Sequence, residues 1–148
     1  MTIDEMSKDI ARMGVRLEQE RRRASGRIGN RLVRAFKQNF LEESFFGEPW
    51  EDVKRRTNPT KRQARSSDSR RKILTGRTGN LRRSVQMEQT GDGVVIYSDL
   101  NYSAAHNDGT TSAGRGHKTR IPQRRFIGEH AEVHRIIREE LDKLTIDK

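Results

Sequence analysis

Four places in the chain carry residue types at spacings that could do chemistry. His130 and His134 stand four apart with Glu132 between them, and two imidazoles at that spacing on a helix could share a metal ion. No third ligand lies nearby and no glutamate directly follows the first histidine, so the zinc-protease pattern is absent. On a helical wheel His130 falls within an apolar face and His134 at its edge, which suits boundary histidines better than ligands. Gly76-Arg77-Thr78-Gly79 satisfies the GxxG spacing that clamps a nucleic-acid backbone when it joins two helices. Here it precedes a hairpin pattern instead. His106-Asn107-Asp108 has the residue types of metal-dependent nucleases, but nothing between Val94 and Tyr102 supplies a second histidine or a carboxylate cluster. With no cysteine and no Gly-x-Ser-x-Gly, nucleophilic catalysis has no candidate either. The chain offers no catalytic constellation, no metal site and no cofactor motif.

The fourth place is a run of charge. Residues 54–83 hold twelve Lys or Arg against one acid, Asp68, an excess larger than the +10 of the whole chain. The basicity therefore belongs to one segment, and the remainder is close to neutral. Such a run is either a solvated, self-repelling stretch or a surface that meets an anionic partner, DNA or an acidic protein. Candidate contacts are Lys54, Arg55, Arg56, Lys61, Arg62, Arg70, Arg71 and Lys72. A basic nucleic-acid-binding module is accordingly the alternative functional class. The aromatics cluster at 36–50 and otherwise stand singly, which argues against a platform for stacking single-stranded bases.

The elements that must position these residues are sparse in apolar material. Of 148 residues only 30% are hydrophobic and 35% are charged, the size of one domain with a small core. A chain this polar either leaves segments disordered or buries surface against other copies. The absence of cysteine excludes disulfides, the N-terminus lacks a signal-peptide pattern, and no stretch reaches the apolar length of a membrane span. These features point to a soluble, intracellular protein with no membrane partner.

Ile3, Met6, Ile10, Met13 and Leu17 recur at three- and four-residue steps and form one narrow helical stripe. Ala24, Ile28, Leu32 and Ala35 continue it, and Phe36 and Phe40 carry it further round. Gly26 and Gly29 each cost about 1 kcal/mol relative to Ala, so a kink or break is expected there. Residues 1–25 read as a helical arm continuous with the first domain helix, its stripe better suited to pairing with a helix of another subunit than to burial in a globule. Residues 26–148 read as one α+β domain with a basic loop at 51–80 and a mobile loop at 107–120. Pro49 ends the first helix, with Trp50 anchoring the turn by packing. Leu81 to Gln89 and Val94 to Tyr97, joined by Thr90-Gly91-Asp92-Gly93, predict a hairpin. Asn101 to His106 predicts a helical turn, Ile121 to Phe126 a third strand with Pro122 at its edge, and the segment from Val133 to Leu144 an amphipathic helix. The fold class is α+β: a long N-terminal helix and a C-terminal helix packed on a small antiparallel sheet of a hairpin plus one strand, with long mobile loops.

A series of short signatures then becomes informative by its order. Gly47-Glu48-Pro49-Trp50 is followed by Ile73-Leu74-Thr75-Gly76 and Gly79-Asn80-Leu81-Arg82-Arg83-Ser84. Tyr102 with His106, Asn107 and Gly109 comes next, and Ile121-Pro122-Gln123-Arg124-Arg125-Phe126-Ile127-Gly128 closes the series. In this order they resemble the phage virion morphogenesis family, whose members include Mu-like tail completion proteins, over roughly residues 28–142. Ser103 departs from the family's usual alanine, a small-for-small exchange.

The resemblance implies a structural, non-enzymatic protein of a tailed phage or prophage. It implies tail completion or a place at the head–tail neck, assembly in the host cytoplasm into a homo-oligomeric ring, with a hexamer as the candidate closure, and contacts with other neck or tail proteins. The motif residues Gly47, Trp50, Leu74, Gly76, Gly79, Leu81, Tyr102, His106, Gly109, Pro122, Arg124 and Phe126 are expected to be structural. Gly76 and Gly79 would turn the chain into the first strand, the segment from Tyr102 to Gly109 would pack a short helix on the sheet, and Phe126 would plug the core. Arg124 is expected to reach a carboxylate of its own subunit or a neighbour through its guanidinium fork.

Overall fold

Thr2 and Glu5 form a capping box, the Thr2 hydroxyl accepting from the Glu5 amide and the Glu5 carboxylate from the Thr2 amide. From that start a computed structural model, which describes residues 1–144, carries α1 without a break over Ile3–Glu42. Residues 145–148, which the sequence places at the end of the domain, lie outside the described part. At a rise of about 1.5 Å per residue α1 is roughly 60 Å long. It stops at Glu43, which adopts a left-handed conformation and donates its amide to the Asn39 carbonyl.

The break anticipated at Gly26 and Gly29 does not occur, because both glycines are points of close approach. The hairpin β3 (Val85–Gln89) and β4 (Val94–Ser98) lies directly across α1. A methyl group on Gly29 would sit 2.1 Å from Met87 Sδ and 2.8 Å from Val94 Cγ2, and one on Gly26 would touch the Gln89 amide at 3.4 Å. Packing against the hairpin holds the helix together where its own propensity is weakest.

Ala24, Ile28, Leu32, Phe36 and Phe40 form the buried face of α1. Around it gather Phe45, Trp50, Ile73, Leu81, Val85, Phe126, Val133 and Ile136. Phe40 is wholly buried; its ring centroid lies 5.7 Å from Trp50, edge to face, and 4.9 Å from Phe126. The last helix, α6 (Ala131–Leu141), packs on α1 through Val133 and Ile136. Before Ala24 the picture reverses, and every side chain from Met1 to Leu17 is exposed.

Among the described residues the β structure comprises three separate two-stranded antiparallel pairs. β1 (Ser44–Phe45) and β2 (Glu48–Pro49) form a tight corner closed by Phe46 and Gly47, both at positive φ. In the β3–β4 hairpin Val85 stands opposite Ser98 and Gln89 opposite Val94. The strand does not begin at Leu81, however. Gly79 at φ 65 opens a helical turn, α4 (Asn80–Ser84), which buries Leu81 before β3 starts.

Two segments expected to be loops have regular structure. Within 51–80 lie α2 (Lys54–Thr57), α3 (Lys61–Arg65) and a 3-10 turn (Ser67–Arg70), and a Thr60–Gln63 capping box starts α3. After α5 (Ser103–Asp108), residues 110–121 form a second hairpin, β5 (Thr110–Ala113) with β6 (Thr119–Ile121). Backbone pairing needs no apolar side chains, so the polar composition of 110–120 carried no signal of it. The strand expected over Ile121 to Phe126 does not form beyond Ile121; in its place β6 pairs with β5 and not with the β3–β4 hairpin. It ends at Ile121 because Pro122 has no amide to continue the ladder.

The contacts at Gly29 lead to a paired prediction. Gly29→Ala should lower stability by about 1–2 kcal/mol through overpacking against Val94 and Met87. Gly14→Ala, with open space around it, should raise arm helicity with no loss. Denaturant unfolding and far-ultraviolet circular dichroism of the two variants check both.

Candidate functional site

Residues 124–127 form a strap gripped from two sides. Arg124, only 7% exposed, donates through Nε to the Glu51 carbonyl at 2.9 Å and through Nη2 to the Asp52 carbonyl at 3.1 Å. Its backbone amide donates to the His106 carbonyl at 2.9 Å. Trp50 Nε1 donates to the Arg125 carbonyl at 2.8 Å, and Asn107 Oδ1 accepts from the amides of Phe126 and Ile127 at 2.9 and 3.0 Å. Within its own chain, among the described residues, Arg124 thus reaches backbone carbonyls and not a carboxylate. Two inward-facing carbonyls match its fork, while the exposed Glu51 carboxylate is taken by Arg120 at 3.2 and 3.3 Å. Burial draws the Arg124 pKa below the usual guanidinium value, and the nearby Glu51 acts in the opposite sense.

The signature residues distribute over this strap and the cavity beside it. Gly47 closes the β1–β2 corner, Trp50 and Phe126 meet at Phe40, and Pro122 follows β6. Gly109, at φ 75, lets the strap pass so closely that a methyl group there would lie 2.8 Å from the Gln123 amide nitrogen. Leu74, Gly76, Leu81, Tyr102, His106 and Arg124 line an open cavity of about 290 Å³. Gly79 stands behind it as the N-cap of α4. His106 is half-buried, its Nδ1 lacks a partner, and its pKa is lowered first by burial and then by Arg124, which favours the neutral ring. Arg55, also on this cavity, donates to the carbonyls of Asp68, Arg71 and Lys72.

The basic run divides into inward and outward halves. Arg56 makes a two-pronged pair with Glu43 and donates to the Arg71 carbonyl at 2.8 Å; Glu43 also accepts the Ile73 amide at 2.7 Å. Arg56 holds the Glu43 carboxyl below its usual pKa against the opposing effect of burial. Arg71 pairs with Asp68 at 3.4 Å, and Lys72 Nζ donates to the Leu41 carbonyl at 2.7 Å. Four of the eight candidate cations, Arg55, Arg56, Arg71 and Lys72, therefore bind their own chain. Lys54, Lys61, Arg62 and Arg70 are exposed and form no ion pair among the described residues.

The histidines have structural surroundings. His130 caps α6, its Nδ1 accepting from the Glu132 amide, and its ring stacks on Phe46 at 4.8 Å. His134 pairs with Glu129 at 3.0 Å. Among the described residues no group of three His, Cys, Asp or Glu could hold a metal ion.

Sequence reasoning missed the buried carboxylate of Glu140, which is 2% exposed. It accepts from Lys143 Nζ, Arg31 Nη1 and Arg27 Nε, each at 2.9 Å, and Arg31 also reaches Glu139 at 2.7 Å. Lys143 first, then Arg31 and Arg27 against the effect of burial, bring its pKa down to about 2. The available signal was an acid on the apolar stripe of α6, in step with Val133 and Ile136. Glu43 left no such trace.

With the geometry in hand, comparison with known proteins is decisive for the family. A model described as the phage virion morphogenesis family matches residues 2–144. The chain belongs to the phage virion morphogenesis family. The match takes in the whole N-terminal arm, which the short signatures alone did not reach. No curated protein and no solved structure matches the chain. No helix among the described residues is long and apolar enough to cross a membrane. This is a protein of phage virion morphogenesis, and in it Trp50, Asn107 and Arg124 clamp the strap while Leu74, Gly76, Leu81, Tyr102 and His106 line the cavity beside it.

Arg124→Lys should cost about 1–3 kcal/mol, since a single ammonium cannot satisfy both carbonyls in the same geometry; urea unfolding measures it. The Glu140 cluster sets a pH dependence. A carboxylate whose folded pKa is depressed contributes stability above its ordinary value of 4.5, and that contribution is lost as pH falls toward about 2. Melting temperature should fall across this window, and Glu140→Gln should start lower at neutral pH and flatten that part of the profile.

Proposed function

We propose that the protein is a tail completion or head–tail neck component that works as a non-catalytic building block. Copies associate head-to-tail through non-identical patches and close into a ring, with a hexamer as the candidate number. The observation that carries this reading is the arm of α1. Within a chain of this family, Ile3, Met6, Ile10, Met13 and Leu17 leave 51–89% of their surface in solvent. A contiguous apolar seam of this kind marks a docking site for protein. The cavity beside Arg124 supports the same reading. Its guanidiniums spend donors on backbone carbonyls, and no nucleophile–base pair forms there.

The outward cations Lys54, Lys61, Arg62 and Arg70 favour a secondary contact with an anionic partner, either DNA passing through the neck or an acidic neighbouring protein. A nucleic-acid-binding module acting alone would use the full cationic run as its footprint. The inward turn of Arg55, Arg56, Arg71 and Lys72 halves the candidate footprint and works against that.

Mass photometry at rising concentration, in the presence of neck and tail proteins of the same phage, should reveal a defined higher oligomer. A phage lacking the gene should accumulate heads and tails that fail to join. A strict monomer in every mixture, together with normally joined virions from the deletion, would overturn the proposal. Duplex DNA binding should be weak and disappear between about 50 and 200 mM salt; tight, sequence-selective binding at physiological salt would favour the alternative class.

A further inference from the structure

We infer that the arms of two copies pair as a short antiparallel coiled coil, giving the free protein a two-fold dimer distinct from any head-to-tail ring contact. The seam has heptad spacing. With Ile3, Ile10 and Leu17 at a, Met6 and Met13 occupy d, the steps of three and four residues that keep one line facing a partner helix. All five are exposed along an unbroken helix, and no apolar residue among the described ones covers them. Val15 is exposed too but lies off the seam.

Charge decides the direction. Asp9 and Arg16 both fall at g, one on each side of the arm's midpoint. In an antiparallel pair g residues face g residues. A register that sets Met6 against Leu17 of the second copy, and Ile10 against its Met13, also sets Asp9 against Arg16 of that copy, twice by symmetry. On the opposite flank the same register brings Ser7 to Gly14, two small residues, and Gly14 has open space around it. A parallel pair would instead set Arg16 at g beside Arg21 at e of its partner, two like charges in contact, with no compensating opposite pair. Both g residues are available. Within its own chain Asp9 has only a loose ion pair to Arg12 at 3.4 Å, and Arg16 has none among the described residues. By contrast, Glu18 and Glu20, nearer the domain, are already held by Arg21, Arg22 and Arg23 of the same helix.

The apolar layers of the overlap span residues 6–17, with Ile3 facing Glu20 at the outer d position, and the pairing stops where the helix becomes part of the domain, at Arg21 and Arg22. There the Arg21 guanidinium donates to the Gly91 carbonyl and the Gln89 amide donates to the Arg22 carbonyl. The two domains are thereby held at opposite ends of the pair, where their cores do not clash. Such a dimer shields the seam until assembly exchanges it for another partner. The inference stands on the arm's own pattern and does not rest on the ring reading.

The chain has no cysteine, so disulfide trapping is direct. Met6→Cys and Leu17→Cys are purified as single variants, mixed and oxidised. The expected result is a mixed disulfide dimer, with each single variant alone remaining largely uncrosslinked. Asp9→Arg should weaken the dimer about tenfold in sedimentation equilibrium, and Asp9→Arg combined with Arg16→Asp should restore it. All four positions are exposed, so the domain's melting temperature is expected to be unchanged and reports that the fold is intact. Efficient self-crosslinking of Met6→Cys would establish a parallel seam and overturn the proposal. So would a wild-type protein that stays monomeric in sedimentation equilibrium, the absence of a mixed disulfide between the two cysteine variants, or a dimer indifferent to Asp9→Arg.

Discussion

Burial of one face of α1 between Ala24 and Phe40 is the constraint on which the other elements depend. The chain has few apolar residues, and those five positions present the main surface that the β3–β4 hairpin, α4, α6 and the strap can share. The hairpin comes close enough because Gly29 has no side chain, and the corner at Trp50 closes because Phe40 offers its ring to Trp50 and Phe126 together. Small cores are marginal, since burial grows with size. The fold compensates with polar latches whose donors and acceptors are matched: Glu43 with Arg56 and Ile73, Arg124 with Glu51 and Asp52, Asn107 with Phe126 and Ile127, Glu140 with three cations. Buried polar groups of this kind contribute little while satisfied and are expensive to strip of a partner.

Those latches also account for the charge. A run of twelve cations suggests a surface made for an anion, but half of the leading candidates are consumed in holding the segment to the domain. Arg55 and Arg56 do for residues 54–73 what a hydrophobic side chain would do in a richer sequence, binding carbonyls at the ends of short helices that have no buried residues of their own. The outward remainder, Lys54, Lys61, Arg62 and Arg70, is a smaller exposed cationic patch. The arm differs in kind. Among the described residues nothing latches or covers its apolar seam, whose side chains all face solvent.

Much of the architecture was legible in the residues. The stripe of α1, the amphipathic last helix, the Thr90–Gly93 hairpin turn and the anchoring of Trp50 all follow from local periodicity and turn chemistry. The motif string pointed to the phage virion morphogenesis family, to which the chain belongs. Other features were not legible. Gly26 and Gly29 look like helix breakers when only propensity is considered. Residues 110–120 have nothing to bury, yet they pair through their backbones. Arg124 looked suited to a carboxylate because its fork fits one, but an arginine fork fits two carbonyls equally well, and only the folded chain determines which is nearer.

The sequence by itself determined which faces are apolar, where helices begin and turn, and that charge outweighs grease. These are properties of residues close together along the chain, where spacing alone sets which side chains share a face. The tertiary structure alone decided the partners across distance: that Glu140 meets Arg27 and Arg31, that Glu43 rather than an outside anion receives Arg56, and that the strap is tied to His106 and Asn107. Such pairings join residues 13 to 113 positions apart. They depend on which packed arrangement satisfies the most buried donors and acceptors together, a condition no local pattern encodes.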